Sequence, residues 1–382
     1  MGFSVVIGAD LVPTSSNYEY FINEDMEYLI GTELISVLQN HDFRIFNLET
    51  PLTSVESPIE KCGSNLIAPP STIKAIRAMN PTLLTLANNH ILDQGEQGLL
   101  STIETLKECN IPYVGVGKND VDAARPYILE EEETKVGVYA CAEREFSIAT
   151  EKTPGANGFS QLESLDHIVD LKSECDYVIV LYHGGKEHYR YPSPLLQKCC
   201  RKMVEKGADL VICQHSHCVG CFEEYNDSII IYGQGNFLFD CSDNDYWGSS
   251  LLVSIEFGNE SRKIDYIPIV KCADKIRLAK DTQAEGILTA FLERSQRILQ
   301  KDFIEDEFSA YAESMRLTYM SALCGDNPVF KAINRLTQHG ALKRMYSGKA
   351  LLRVLNYIEC ETHREMLITL LQNRRDRDVK GW

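Results

Sequence analysis

Three histidines in this chain stand just beyond apolar runs: His183 after residues 177–181, and His215 with His217 after residues 208–213. Two more apolar runs end in Asn47-Leu-Glu49 and Ala87-Asn-Asn-His90, and Asp10 follows the opening run at residues 3–7. Open α/β sheets build their sites at the carboxyl ends of buried strands, so five such ends are expected to deliver Asp, Glu, Asn and His to one sheet edge. That donor set suits a borderline divalent metal such as Zn, Mn or Fe. The small residue in His215-Ser-His217 lets both imidazoles approach one centre. An isolated histidine is more often a satisfied polar residue, which is the reading for His41, His167, His188, His339 and His363.

The elements that must position these groups follow from periodicity. Strands are expected at residues 3–7, 43–47, 82–86, 135–140, 177–181, 210–213 and 228–232, with helices at 24–39, 71–79, 96–109, 162–173 and 194–206. Residues 251–257 and 263–270, joined at Gly258-Asn259, read as a closing hairpin. Glu130 to Glu133 reads as a solvated turn. After Asp281 the period becomes 3.6, with Ile287, Leu288, Phe291, Leu292, Ile298 and Leu299 on one face. Helix then runs to the end with breaks near Gly325 and Gly340. The chain is therefore read as two regions, 1–275 and 276–382.

Composition narrows the setting. With 382 residues and 44% hydrophobic content, the chain can bury a substantial core. The opening Met-Gly-Phe-Ser has no basic stretch and no apolar run reaches spanning length, so neither a secretory signal nor a membrane span is expected. Thirteen scattered cysteines, with Cys199 and Cys200 adjacent, do not form a disulfide framework and point to a reducing cytoplasm. A net charge of −17 argues against nucleic acid or an anionic membrane as a non-specific partner. The charge is uneven. From Asn334 onward ten Lys and Arg face five acids, giving +5 there and −22 on the rest. The C-terminal helices are thus expected to dock on the acidic region, within the chain or across a homo-oligomer.

The blocks Gly8-Ala-Asp10, Asn47-Leu-Glu-Thr-Pro51, Ala87-Asn-Asn-His-Ile-Leu-Asp-Gln-Gly95, His183-Gly-Gly-Lys-Glu187, Gly207-Ala-Asp-Leu-Val211, His215-Ser-His217 and Gly235-Asn-Phe237 resemble the CapA family of poly-γ-glutamate capsule synthesis, related to the calcineurin-like metallophosphatases. Seven blocks in family order cover roughly the first 270 residues and are far more specific than any one alone. The resemblance implies an α/β sandwich of two mixed sheets flanked by helices, here followed by a C-terminal all-helical appendage. It implies one or two divalent ions held by Asp10, Glu49, Asn89, His183, His215 and His217. In the metallophosphatase scheme a carboxylate bridges two metals about 3.5 Å apart. Glu49 is the bridge, with Asp10 and His217 on one metal and Asn89, His183 and His215 on the other. His90 corresponds to the histidine that stabilises the transition state or protonates the leaving group. Asn88 and Asn236 fall in the same blocks and are assigned to substrate.

Departures from the family pattern are equally specific. Asp10 is followed by Leu11 and Val12, so the first metal lacks an imidazole, and Pro13-Thr14-Ser15 stands where relatives carry an Arg. His-Gly-Gly replaces the frequent His-Trp-Gly, removing an aromatic floor, and His-Ser-His replaces His-Pro-His. Cys213, Cys218 and Cys221 bracket the His pair without a second Cys-x-x-Cys and read as packing residues. Gly233-Gln-Gly-Asn236 lacks the P-loop Lys and reads as backbone that passes close to the metal shell. Lys186, Glu187 and Arg190 are the nearest candidates for gripping an anionic small molecule or polymer end. The reading is a metal-dependent hydrolase of phosphoesters or of γ-glutamyl or cell-envelope amides, with a non-catalytic capsule assembly factor as the alternative.

Overall fold

Period-two alternation decides the layering. Along the strand Tyr177–His183, Ile179 and Leu181 enter one apolar cluster while Val178, Val180 and Tyr182 enter another. The strand is therefore apolar on both faces, as a strand covered on both sides must be. Thr134–Ala142 divides the same way, with Val136, Val138 and Ala140 on one face and Tyr139 and Cys141 on the other. In a second sheet, Val5 and Ile7 of Phe3–Val12 join the cluster of Ile179, whereas Val6 and Leu11 join a third cluster with the helical residues Leu34, Ile76 and Leu99. One shared apolar layer between two sheets, with helices on each outer face, makes the expected four-layer sandwich.

The computed structural model describes residues 3–258, 262–324 and 327–379, with side chains through residue 373. Among them the first sheet runs Lys275–Leu278, Arg262–Cys272, Ser249–Phe257, Phe3–Val12, Phe43–Leu48, Leu83–Thr85, Tyr113–Val114, and Asn236–Phe239 pairs with the end of Phe3–Val12. The second runs Phe222–Tyr225, Ser228–Tyr232, Leu210–Gln214, Tyr177–His183, Thr134–Ala142, Tyr127–Glu131. Both are mixed. Phe3–Val12 pairs in parallel with Phe43–Leu48 but antiparallel with Ser249–Phe257. Its register with Phe43–Leu48 slips between Ile7 and Asp10. The slip reverses which face each side chain takes, which is why Leu11 sits on the helix side and Asp10 on the opposite one.

The expected strands are all present, most of them longer than the apolar run alone. The helix expected at 24–39 is instead two pieces, Met26–Leu29 and Gly31–Gln39, broken where Gly31 (φ 78°) turns the chain, and a further short helix, Tyr18–Ile22, precedes the turn at Glu24 (φ 59°). The acidic run at 130–133 is the tip of a hairpin between Tyr127–Glu131 and Thr134–Ala142, with Glu132 at φ 52°. In the closing hairpin Asn259 lies outside the described residues, as does Gly325.

Two compact units result, Met1–Asp306 and Glu307–Trp382. The first includes the helix Asp281–Arg297. Its Phe291 is fully buried against Phe222 and Tyr266, at ring separations of 5.2 and 4.9 Å, and Leu288 packs against the same inter-sheet cluster. Leu292 and Leu299 face outward, at 50% and 59% exposure. Arg294 donates to the carbonyls of Val219 and Gly220, and Ser295 Oγ accepts from the Phe222 amide at 2.9 Å. The helix thereby holds the segment that follows His217. The second unit consists of Glu307–Ser314, the end of a helix that starts at Phe303, followed by Arg316–Ala322, Pro328–Leu336, Gly340–Met345, Gly348–Glu359 and Glu361–Val379. Phe291→Ala is expected to lower stability in urea titration by about 3–5 kcal/mol, the cost of emptying a buried aromatic site. A loss below about 1 kcal/mol would mean that this helix is not part of the core.

Candidate metal centre

Each donor reaches the centre from a strand end. Asp10 comes from Phe3–Val12, Asn47 and Glu49 from the end of Phe43–Leu48, and Asn88, Asn89 and His90 from the turn after Leu83–Thr85. His183 closes Tyr177–His183, and His215 and His217 follow Leu210–Gln214. Both of the latter have left-handed backbone, φ 78° and 54°, which is uncommon for a histidine and costly unless the surroundings enforce it. One enforcing contact is visible. Gly233, at φ 126°, passes so close that a Cβ there would lie 2.8 Å from Ser216 Oγ and 2.9 Å from the Cys218 carbonyl oxygen.

The ligand-type atoms gather as two overlapping groups, Asp10 with Glu49 and His183, and Glu49 with His215 and His217. Glu49 belongs to both. His183 Nε2 lies 3.1 Å from Glu49 Oε1, 3.0 Å from Asn89 Oδ1 and 3.2 Å from His215 Nδ1. His217 Nδ1 lies 3.4 Å from Asp10 Oδ2 and 2.8 Å from Asn236 Oδ1. Donors bound to one ion at ordinary lengths of about 2.0–2.2 Å sit about 3 Å from one another, so these spacings fit a coordination shell. Burial strengthens the case. Asp10 and Glu49 are fully buried, yet Asp10 Oδ2 and both Glu49 oxygens have no hydrogen-bond partner. Buried carboxylates are rarely left so, because the desolvation cost is several kcal/mol unless a cation or donors offset it.

Charge is shared unequally across the cluster. For His217 burial favours the neutral ring, but the Asp10 carboxylate 3.4 Å away and the Glu49 charge outweigh it and push the pKa up to about 9. His183 is raised as well: burial opposes this, and the charges of Glu49 and Asp10 prevail. His215 falls well below the ordinary histidine value through burial and the neighbouring His183 and His217. Asp10 is held below the usual carboxylate range despite burial, by the neighbouring His217 and His183 rings and the Asn47 amide.

The surrounding residues have distinct placements. Asn47 Nδ2 donates to Asp10 Oδ1 at 2.8 Å and lies 3.1 Å from His183 Nδ1, so it aligns a donor from each sheet. Asn88 is fully buried, its amide donating to Asn47 Oδ1 and the Leu48 carbonyl, and its Oδ1 accepts from the His90 amide. His90 Nδ1 lies 2.6 Å from Asp93 Oδ2, and the buried Lys61 ammonium contacts both Asp93 and His90. Arg190 donates to the carbonyls of Val219 and Asp245 and stacks over Tyr246, bracing two loops beside the His pair. Lys186 and Glu187 are half-buried at the rim, with Glu187 Oε1 4.0 Å from His215 Nε2. Asn236 is buried with its Nδ2 unpartnered.

Sequence reasoning missed several members. Trp247 stacks on His217 at 4.5 Å and donates its indole N–H to His188 Nε2 at 2.8 Å, so an aromatic wall arrives from a loop 63 residues downstream of position 184, where relatives place theirs. The residue at the relatives' Trp position is Gly184, and a Cβ there would lie 2.6 Å from Glu143 Cγ and 2.8 Å from the Tyr182 ring. That space is already filled. No local signal marked Trp247 or Glu143. Asp93 and Lys61 were more accessible: Asp93 stands three residues after His90 within a quoted block, the spacing of a turn contact. Cys213, Cys218 and Cys221 are buried and unpaired, as expected of packing residues.

A family model described as bacterial capsule synthesis protein PGA_cap matches residues 5–241. The capsule biosynthesis protein CapA of Bacillus anthracis is 32% identical over 212 residues, 53% of this chain and 52% of that protein. A Mycobacterium tuberculosis protein named probable polyglutamine synthesis accessory protein is 28% identical over 223 residues, 54% of this chain and 59% of that one. Among solved structures, a novel phosphatase from Mycoplasma pneumoniae aligns with a TM-score of 0.46 at 14% identity, covering 72% of this chain and 95% of that one. The chain spans about half the length of the curated relatives it matches. Every ligand-type residue from Asp10 to His217 lies inside the matched region, and by that match the chain belongs to the PGA_cap family of bacterial capsule synthesis proteins.

Proposed function

We propose that this chain is a metal-dependent hydrolase of capsule or polymer metabolism, cleaving a phosphoester or a γ-glutamyl or cell-envelope amide. The observation that carries the reading is Glu49, fully buried among three imidazoles with neither oxygen hydrogen-bonded. Asp10, Glu49 and His217 would hold one ion, and Glu49, Asn89, His183 and His215 a second. A divalent ion there supplies Lewis acidity and lowers the pKa of bound water toward neutrality.

The chain's own residues complete the chemistry. Asn47 and Asn236 orient Asp10, His183 and His217 through their amides. Asp93 fixes the Nδ1 side of His90, leaving Nε2 to meet a leaving group or developing charge. Lys61, Lys186 and the metal-facing imidazoles supply positive potential in an otherwise acidic chain. Phosphoryl and carbonyl centres call on the same apparatus, so a panel of phosphoesters and γ-glutamyl peptides with Mn, Zn and Fe is the test. Failure to bind metal stoichiometrically, together with no turnover on either class, would overturn the reading. The accessory role named for the mycobacterial relative favours a second reading, a metal-loaded assembly factor. Under that reading His90→Ala leaves the capsule phenotype intact.

Three outcomes are expected. His183→Ala and His215→Ala each lower bound metal by elemental analysis, whereas His90→Ala retains it and loses roughly 100- to 10,000-fold in turnover. Unchanged metal in both of the first variants removes them from the ligand set. Metal affinity should depend on pH in a defined direction. Below about 9 the His217 ring is protonated and has no lone pair to give, so apparent affinity should rise with pH by up to about tenfold per unit until that value. Competition titrations at several pH values, with proton release followed by indicator dye, would show the same pH slope in His217→Ala as in the unaltered protein if His217 is not a ligand. Finally, Trp247 stacks on His217, and the chain's only other tryptophan is Trp382. Metal addition should therefore change Trp247 emission in the intact protein, and Trp247→Phe should abolish the change. A response that survives Trp247→Phe would place the reporter elsewhere.

A further inference from the structure

Helices in the second unit carry an arrangement that the metal centre does not use. Residues 327–358 contain Lys331, Arg335, Lys343, Arg344, Lys349 and Arg353 and no Asp or Glu, within a chain of formal charge −17. On Pro328–Leu336, Val329, Ile333 and Leu336 stand at i, i+4 and i+7 and so share one face, where they are 67%, 46% and 84% exposed. Gly348–Glu359 repeats the pattern with Leu351, Leu355 and Ile358, again exposed. Soluble proteins seldom leave apolar stripes of this extent open to water. Apolar faces flanked by Lys and Arg without acids are the composition of helices that lie in a membrane interface. Among the described residues no helix is long and apolar enough to cross a membrane, so the geometry is that of lying on a bilayer. The segment also falls outside residues 5–241, so the family match does not account for it.

We propose that residues 327–358 form a docking surface for an anionic lipid bilayer. Charge complementarity decides the occupant. A second copy of the same helices would set six cations against six, which opposes association. The acidic first unit of a second copy has the right charge, but its exposed large apolar side chains come at most two to a helical face, as with Leu162 and Val169 or Leu292 and Leu299, whereas each basic helix presents three. Anionic headgroups with acyl chains beneath them match both features together. Each Lys or Arg close to such a surface strengthens attraction about fivefold. Acidic residues of the first unit lying farther than a Debye length of about 8–10 Å from the bilayer are screened, so the overall negative charge does not cancel the local attraction.

The test uses the full chain, sedimented with vesicles of phosphatidylcholine alone or with about one-third phosphatidylglycerol added. Binding to the anionic vesicles should be at least about tenfold stronger than to the neutral ones and should weaken as salt rises. Lys349→Glu with Arg353→Glu should reduce it at least about tenfold. Ile333→Ser with Leu336→Ser, which removes apolar contact and no charge, should reduce it as well. All four positions are exposed, and an unchanged helical circular-dichroism signal confirms that the variants fold. Equal sedimentation with both vesicle types, no sedimentation with either, or binding that both double variants leave intact would overturn the proposal. Concentration-dependent self-association without vesicle binding, lost in the same variants, would also overturn it and assign the surface to a second copy.

Discussion

The structure is organised around two carboxylates, Asp10 and Glu49, that are taken fully out of water without hydrogen bonds to three of their four oxygens. Such an arrangement is unstable by itself, and everything near it serves to hold or neutralise it. Two of the three nearby imidazoles are drawn toward their charged forms by the carboxylates, against the desolvation that would keep them neutral. The third is driven the other way by burial and by its positive neighbours. Two carboxylates and three histidines thus form a cluster whose charge state is set collectively, and whose open lone pairs face one another at about 3 Å.

The scaffold explains how such a cluster is tolerated. Asp10 and Glu49 come from one sheet and His183, His215 and His217 from the other, so the centre sits where the edges of a double-sheet sandwich meet. The apolar layer between the sheets, with Val5, Ile7, Ile179, Leu181 and Ile212, fixes the separation of the two edges. Local backbone then supplies the aim. The register slip before Asp10 and the two left-handed histidines are deviations from regular strand and turn geometry, and each turns a side chain toward the centre. Rigidity beneath the site compensates for strain within it.

What the sequence disclosed follows from this division. Strand ends were legible because buried strands announce themselves by apolar runs and a polar residue directly after such a run is conspicuous. The segments at Asp10, Asn47-Leu-Glu49, Ala87-Asn-Asn-His90, His183 and His215-Ser-His217 are legible in that way and lie together, the choice of ligands among them resting on the family resemblance. The supporting residues were not, because their signal is not local. Trp247 reaches His217 from a loop tied down by Lys271 through Asp240 and Asp243, and nothing in its neighbours marks it. Glu143 occupies the space beside Gly184 only because two strands of the second sheet end side by side. The split of the first helix is hidden for a related reason: it falls at Gly31 (φ 78°), a lone glycine inside an apolar-periodic stretch that the local pattern does not distinguish from a tolerated one.

The exchange of the aromatic wall bears on how the family's site can vary. In a His-Trp-Gly sequence the Trp follows the histidine directly, at the end of the strand that bears it. Here the same neighbourhood is filled by Glu143 and Tyr182, and the ring against the imidazoles belongs to a separate loop whose indole N–H is engaged by His188. A wall built on a loop is adjustable where one built on a strand is not, since its position depends on a few hydrogen bonds and ion pairs rather than on a sheet ladder. It also leaves Glu143 at the rim, a partly exposed carboxylate whose pKa burial raises. The ligand-type residues are therefore kept while the surface beside them is rebuilt. On physical grounds, variation between members of the family belongs in that surface, because changing a donor would strand a buried charge whereas changing the wall does not.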